Sequence, residues 1–208
     1  MTRIAALVSG GGTNLQALLD NRDTLGGEIV CVVSSRADAY ALDRAKSAGV
    51  PAITLHKDKS VSREAYSERM ITLLKGFQVD LVVLCGFLVV MSDTFVQAYP
   101  NRILNIHPAL LPAFGGIGCY GIHVHKMALD RGVKITGATV HFVNEEVDGG
   151  PIVLQKSVDV LPNDDPQTLQ QRVMEQAEWV LLPQAVRLFC EGRLCIENNI
   201  VRIREESI

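Results

Sequence analysis

The chain has 208 residues, a formal net charge of −3, and apolar and charged shares of 48% and 21%. That balance belongs to a folded globular protein and excludes a disordered one. Lys and Arg are mixed with Asp and Glu rather than gathered in a stripe, which argues against nucleic acid as a partner, and no window reaches the roughly 18 apolar residues of a membrane span.

Residues 4–8 are a short apolar run ending in Ser9-Gly10-Gly11-Gly12, and Leu15, Leu18 and Leu19 follow at helical spacing. Residues 29–33 are β-branched and strand-like, 40–48 read as helix, and 52–55 as a short strand. Tyr66, Met70, Leu73, Leu74 and Phe77 mark one face of a helix closed by Gly76. Residues 81–84 and 103–107 are two more buried strands. This alternation predicts an α/β fold: a Rossmann-like, mostly parallel twisted sheet with helices on both faces. Such sheets bind ligands beyond the carboxyl ends of their strands.

The second half adds antiparallel structure. Residues 136–142 and 152–158 read as strands pairing at a sheet edge around Val147-Asp148-Gly149-Gly150. Asp165 as N-cap and Pro166 at the first helical position open a long helix, expected to reach about residue 189 with a bend at Pro183. Residues 194–203 are expected to close the chain as a hairpin. No linker-like tract or repeat divides the sequence, so one domain over residues 1–208 is expected. Five cysteines without CxxC spacing, and no signal-peptide pattern at the N-terminus, fit a reduced, cytoplasmic protein.

Three places carry candidate chemistry. The first is Ser9-Gly10-Gly11-Gly12-Thr13-Asn14, between strand and helix. Glycines allow close backbone approach, and the helix start offers free N–H groups to an anion. Thr13 with Gln16 fits a capping box. Leu15 stands where a dinucleotide fingerprint needs its last glycine, and no GK[ST] follows for a P-loop. The alternative is a tight turn that binds nothing. The second is Asn105-Ile106-His107-Pro108. Asn105 and His107 share one strand face at a carboxyl edge, where an amide and an imidazole suit an oxyanion and a proton. A strand-end histidine is also often structural. The third is Asp148, in a turn before two glycines; near His107 it would raise the imidazole pKa, but spacing alone leaves a plain hairpin equally open. His123 and His125 lack further ligands for a zinc site. His56 and His141 read as strand-end or surface residues.

Together these stretches, with Cys85-Gly86-Phe87, residues 104–112 and Gly137-Ala138-Thr139-Val140-His141-Phe142-Val143, resemble the glycinamide ribonucleotide transformylase family of folate-dependent formyltransferases. The resemblance implies formyl transfer from 10-formyltetrahydrofolate, as co-substrate, to the amine of glycinamide ribonucleotide in purine biosynthesis. It implies no metal, only small-molecule partners, no nucleic acid, no membrane, and a monomer or homodimer. Asn105, His107 and Asp148 match the family's catalytic trio. Gly11, Gly12, Thr13 and Asn14 match its phosphate loop, Arg63, Tyr66 and Gly86 further substrate contacts, and Glu178 a ribose-binding carboxylate. Phe87, Leu88, Val89, Val90 and Met91, with Val143, Glu145, Glu146 and Val147, match the segments around the folate's pterin ring. The chain departs from the pattern at Thr13 (usually Ser), Val89 (Arg), Trp179 (His) and in a longer, Gly-rich stretch over residues 114–120. Formyltetrahydrofolate hydrolase and methionyl-tRNA formyltransferase share the trio but carry further domains, which are not expected here. A phosphosugar-binding protein with an idle trio is the non-enzyme alternative.

Overall fold

Parallel strands covered on both faces need consecutive rather than alternating apolar residues. Ile4, Ala5, Ala6, Leu7 and Val8 are all fully buried in the central strand β1 (Thr2–Val8). In the computed structural model, which describes residues 1–205, β1 is flanked by β2 (Gly27–Ser34), β3 (Ala52–Thr54), β4 (Leu81–Leu84) and β5 (Ile103–His107), all parallel. Next, β6 (Ile135–Phe142) and β7 (Ile152–Asp159) join antiparallel, giving the order β3-β2-β1-β4-β5-β6-β7. The mostly parallel sheet read from the sequence, with its antiparallel C-terminal addition, is the one that forms.

Apolar clusters cover both faces. One is built from α1 (Thr13–Asp20), α2 (Ala41–Ser47), α5 (Ile122–Asp130), α6 (Pro166–Val173) and α7 (Trp179–Cys190); the other from α3 (Arg63–Gly76) and α4 (Asp93–Ala98). Leu104 and Ile106 enter the first cluster and Ile103 the second, so strand parity puts Asn105 and His107 on the α3 side. At six residues with one buried side chain, Phe95, α4 is too short to leave a periodic signal, and it was not expected.

The chain changes direction across the sheet between β1 and β4, the place where doubly wound sheets open a crevice. Ser9 ties its walls together. Its Oγ lies 2.7 Å from Ser35 Oγ after β2 and accepts from Leu88 N at 2.9 Å after β4.

The long C-terminal helix starts as expected. Asp165 accepts from Thr168 N, the Thr168 hydroxyl closes the reciprocal bond, and Pro166 occupies the first turn. Its helical course runs on to Cys190 as expected, though not as regular α-helix throughout. A π-helical turn spans Met174–Glu178 before α7 begins. Pro183 has no N–H for the carbonyl four residues back and its ring crowds it. The irregularity falls in the preceding turn rather than at the proline itself, and Glu178, its last residue, is buried. The expected closing hairpin, β8 (Leu194–Glu197) with β9 (Ile200–Ile203), forms a separate two-stranded sheet.

Between β6 and β7 the chain folds back tightly. A Cβ on Gly150 would lie 1.8 Å from the Phe142 carbonyl oxygen, so only glycine fits the position after Asp148-Gly149. Gly150→Ala is expected to destabilise the fold by about 1–3 kcal/mol, the usual range for forced overpacking. Thermal unfolding should therefore shift down by roughly 2–12 °C. An unshifted melting temperature would mean that the turn is free to relax. Among the described residues, no helix is long and apolar enough to cross a membrane.

Candidate active site

The loop after β1 delivers backbone rather than side chains. Gly12 is the N-cap of α1 with φ 74°, and its hypothetical Cβ would meet Ala41 Cβ at 2.6 Å. The capping box expected from Thr13 and Gln16 is absent. The helix starts at Thr13, one position too early for its hydroxyl to cap, and no side chain caps α1. Thr13 Oγ1 instead points at Met174 Sδ, 3.7 Å away.

Opposite the loop stands Glu178, 6% exposed, its Oε2 accepting from Asn14 Nδ2 at 2.6 Å. Burial pushes its carboxyl up from the usual 4.5 to about 7, against the lowering effect of the Asn14 bond. The folded protein thus holds this proton more tightly than the unfolded chain does. The contribution of Glu178 to stability is fully present below about pH 4.5 and is lost as pH rises through about 7, a span worth about 3 kcal/mol. Urea unfolding at pH 5 and pH 8 should show this loss in the native chain and not in Glu178→Gln, whose amide oxygen keeps the Asn14 bond. Parallel losses in both proteins would assign the pH dependence elsewhere.

The trio forms at the carboxyl end of β5. His107 Nδ1 lies 3.5 Å from Asp148 Oδ2, and its Nε2 is 2.8 Å from the Phe114 carbonyl. The carbonyl fixes a proton on Nε2, so Nδ1 is the nitrogen that faces Asp148. Asp148 sits at φ 58° and takes the Gly116 N–H at 2.9 Å. Its Oδ1 is 3.6 Å from His141 Nε2, which also meets Asn105 Nδ2 at 3.1 Å. His141 Nδ1 is 2.8 Å from the Phe142 carbonyl, which holds a proton on that nitrogen.

Burial lowers the His107 pKa below its usual 6.5. The Asp148 charge and the Phe114 carbonyl raise it, but by less. Asp148 thus raises the imidazole pKa as expected, yet the net shift is downward: a side chain 3% exposed loses more from desolvation than one carboxylate returns. For Asp148, burial raises the carboxyl, but His141, the His107 charge and the Gly116 N–H outweigh it, and Asp148 stays below the ordinary carboxylate range.

The other expected residues divide. Gly86, at φ 72°, turns the chain after β4. Phe87, Val89 and Met91, with Val143, are half-buried against the α3-side cluster, whereas Leu88 and Val90 are 58% and 51% exposed. The segment thus alternates, with Leu88 and Val90 facing outward over the other three. Glu145, Glu146 and Val147 are exposed, and Glu145 accepts from Gln97. Tyr66 is a core residue rather than a substrate contact, 1% exposed with its hydroxyl on the Leu55 carbonyl at 2.9 Å. Arg63 opens α3 on the opposite face from α1 and pairs with Glu64. Among the described residues, no hydrogen bond or ion pair joins it to the glycine loop. The cation that reaches that loop is Arg44, whose Nε donates to the Gly11 carbonyl at 2.8 Å.

The family model described as formyl transferase matches residues 2–186. The chain is a member of the formyl transferase family. A phosphoribosylglycinamide formyltransferase from Haemophilus influenzae is 41% identical over 100% of this chain and 96% of its own length. A glycinamide ribonucleotide transformylase from Symbiobacterium toebii superposes with a TM-score of 0.93 at 45% identity, covering 99% of this chain and 95% of that one. A formyltetrahydrofolate deformylase from Pseudomonas syringae is more distant, with a TM-score of 0.88 and 27% identity over 98% of this chain and 66% of that one.

Sequence reasoning missed two histidines of this formyl transferase. His141, expected at a strand end or surface, is 1% exposed and bridges Asn105 to Asp148. It stands directly opposite Asn105 in the antiparallel register, a pairing that sequence periodicity cannot give. His125 is fully buried on α5 with neither ring nitrogen partnered. Burial, then the nearby His107 charge, pushes it down to about 4, so it is neutral. Among the described residues of the formyl transferase, no group of three or more His, Cys, Asp and Glu side chains is placed to hold a metal ion.

Proposed function

We propose that this formyl transferase moves the formyl group of 10-formyltetrahydrofolate onto the amine of glycinamide ribonucleotide. The observation that carries the reading is the convergence of Asn105, His107 and Asp148, from a strand end and a distant turn, at the carboxyl edge. The names of the relatives at 41% and 45% identity favour this acceptor over water.

In this reading the acceptor's phosphate rests on the N–H groups of Gly11, Gly12, Thr13 and Asn14, and Glu178 takes its ribose hydroxyls. The folate lies along Leu88, Val90 and Val147. The amine nitrogen attacks the formyl carbon, and the carbonyl oxygen becomes an oxyanion beside the free N–H of Asn105. His107 is neutral at rest, with Nδ1 open. The growing negative charge, together with Asp148, favours the imidazolium, so Nδ1 takes up the proton leaving the amine through Asp148 or a bridging water. The C–N bond to the folate's N10 then breaks, and the proton goes to N10. Reactants and products differ only in where the formyl group and one proton reside. Positioning and charge stabilisation account for the acceleration.

The competing reading is hydrolysis of the folate, the activity named for the Pseudomonas syringae neighbour. Spectrophotometric assay of the purified chain with the folate donor decides between them. Turnover should depend on glycinamide ribonucleotide. Equal turnover without it identifies a hydrolase, and none under either condition leaves a binding protein.

A further inference from the structure

The carbonyls of the glycine loop are all engaged from behind. Gly10 O accepts from Ala41 N at 3.1 Å, Gly11 O from Arg44 Nε at 2.8 Å, and Gly12 O from Gln16 N at 2.9 Å. In a planar trans peptide, the C=O and the following N–H point in opposite directions. Fixing the Gly10 and Gly11 carbonyls toward α2 therefore turns the N–H groups of Gly11 and Gly12 away from it. Successive N–H groups held this way form an anion-binding concavity. Arg44 also donates from Nη1 to Gln16 Oε1 at 2.9 Å, and its guanidinium lies 4.9 Å from the centre of the Tyr40 ring. Among the described residues it is in no ion pair. With Thr13, Gln16, Asp20 and Trp179 it borders an open cleft of about 260 Å³ that holds none of the trio.

We infer that Arg44 is a positioning residue for the acceptor's phosphate. From the far side of the loop it pins the Gly11 peptide so that the Gly12 N–H is presented forward, and through Gln16 it ties the loop to α1. It does not touch the phosphate. The inference rests on reading the glycine loop as the phosphate site. A planar two-armed donor suits the task, because a lysine ammonium cannot hold both acceptors in one fixed geometry.

The test compares glycinamide ribonucleotide with its phosphate-free riboside in native protein, Arg44→Met and Arg44→Lys. The native enzyme should prefer the ribonucleotide strongly. Arg44→Met should raise KM for the ribonucleotide at least tenfold, leave the folate KM and kcat near native, and leave kcat/KM for the riboside unchanged. Arg44→Lys should recover only part of the loss. Native protein without preference for the phosphorylated acceptor would overturn the phosphate-loop reading itself. A native preference that survives in Arg44→Met would overturn the role of Arg44 alone. So would equal losses for both acceptors and the folate, or full recovery by Lys, which would make charge rather than the two-armed hold the active property.

Discussion

Asp148→Asn is expected to slow formyl transfer by at least about 100-fold, the scale of an acid–base contribution, while both ligands bind with near-native affinity. Asp148 sits at φ 58°, and asparagine, like aspartate, tolerates that left-handed conformation better than most side chains do. The amide oxygen can still accept from Gly116 N, so the turn should keep its shape. What disappears is the negative charge 3.5 Å from His107 Nδ1. Burial already lowers the imidazole pKa, and Asp148 is the largest influence raising it. Without it the imidazolium is harder to form when the proton must move. The loss belongs to kcat, because the missing interaction is strongest in the transition state. Pre-steady-state kinetics with measured dissociation constants checks this, and transfer within a few-fold of native would remove Asp148 from the chemistry.

His107→Gln is expected to slow transfer by about 100- to 1,000-fold, within the range for loss of a group that takes up a proton in the transition state. Glutamine offers one amide but cannot span Phe114 O and Asp148 as the ring does, nor carry a proton near neutral pH. The double variant with Asp148→Asn should be little slower than the worse single, since the two act as one unit. Rates of the two singles and the double variant give the coupling directly. Fully multiplicative losses would mean independent roles.

The fold was legible wherever a pattern is local. The consecutive apolar run of β1, the Asp165-Pro166 helix start and the hairpin of β6 and β7 all depend on neighbours in sequence. What escaped depends on register, burial or competing bonds. His141 joins the site because β6 pairs Asn105 with it, and a shift of one residue would turn it to the other face. Tyr66 was matched to a substrate contact by resemblance alone; its place on the apolar face of α3 marked it for the core, and its hydroxyl is spent on the Leu55 carbonyl. Arg44 sits on a helix face that no motif marks, and its meaning comes only from the Gly11 carbonyl it meets. The pairing of Asn105, His107 and Asp148 was suggested by resemblance, but the resting protonation of His107 follows from burial, which sequence does not reveal.

The most direct test of the account follows the formyl carbon in a single turnover. Donor labelled with carbon-13 at the formyl group is mixed with excess native protein and glycinamide ribonucleotide, and the label is traced by NMR. The same is done with Asn105→Ala, His107→Gln and Asp148→Asn, all at saturating ligand. The account predicts label in the formamide of the ribonucleotide for the native chain, and the same product at least about 100-fold more slowly for His107→Gln and Asp148→Asn. Asn105→Ala should be slowed as well. Label appearing as free formate, or variants transferring within a few-fold of native, would contradict it.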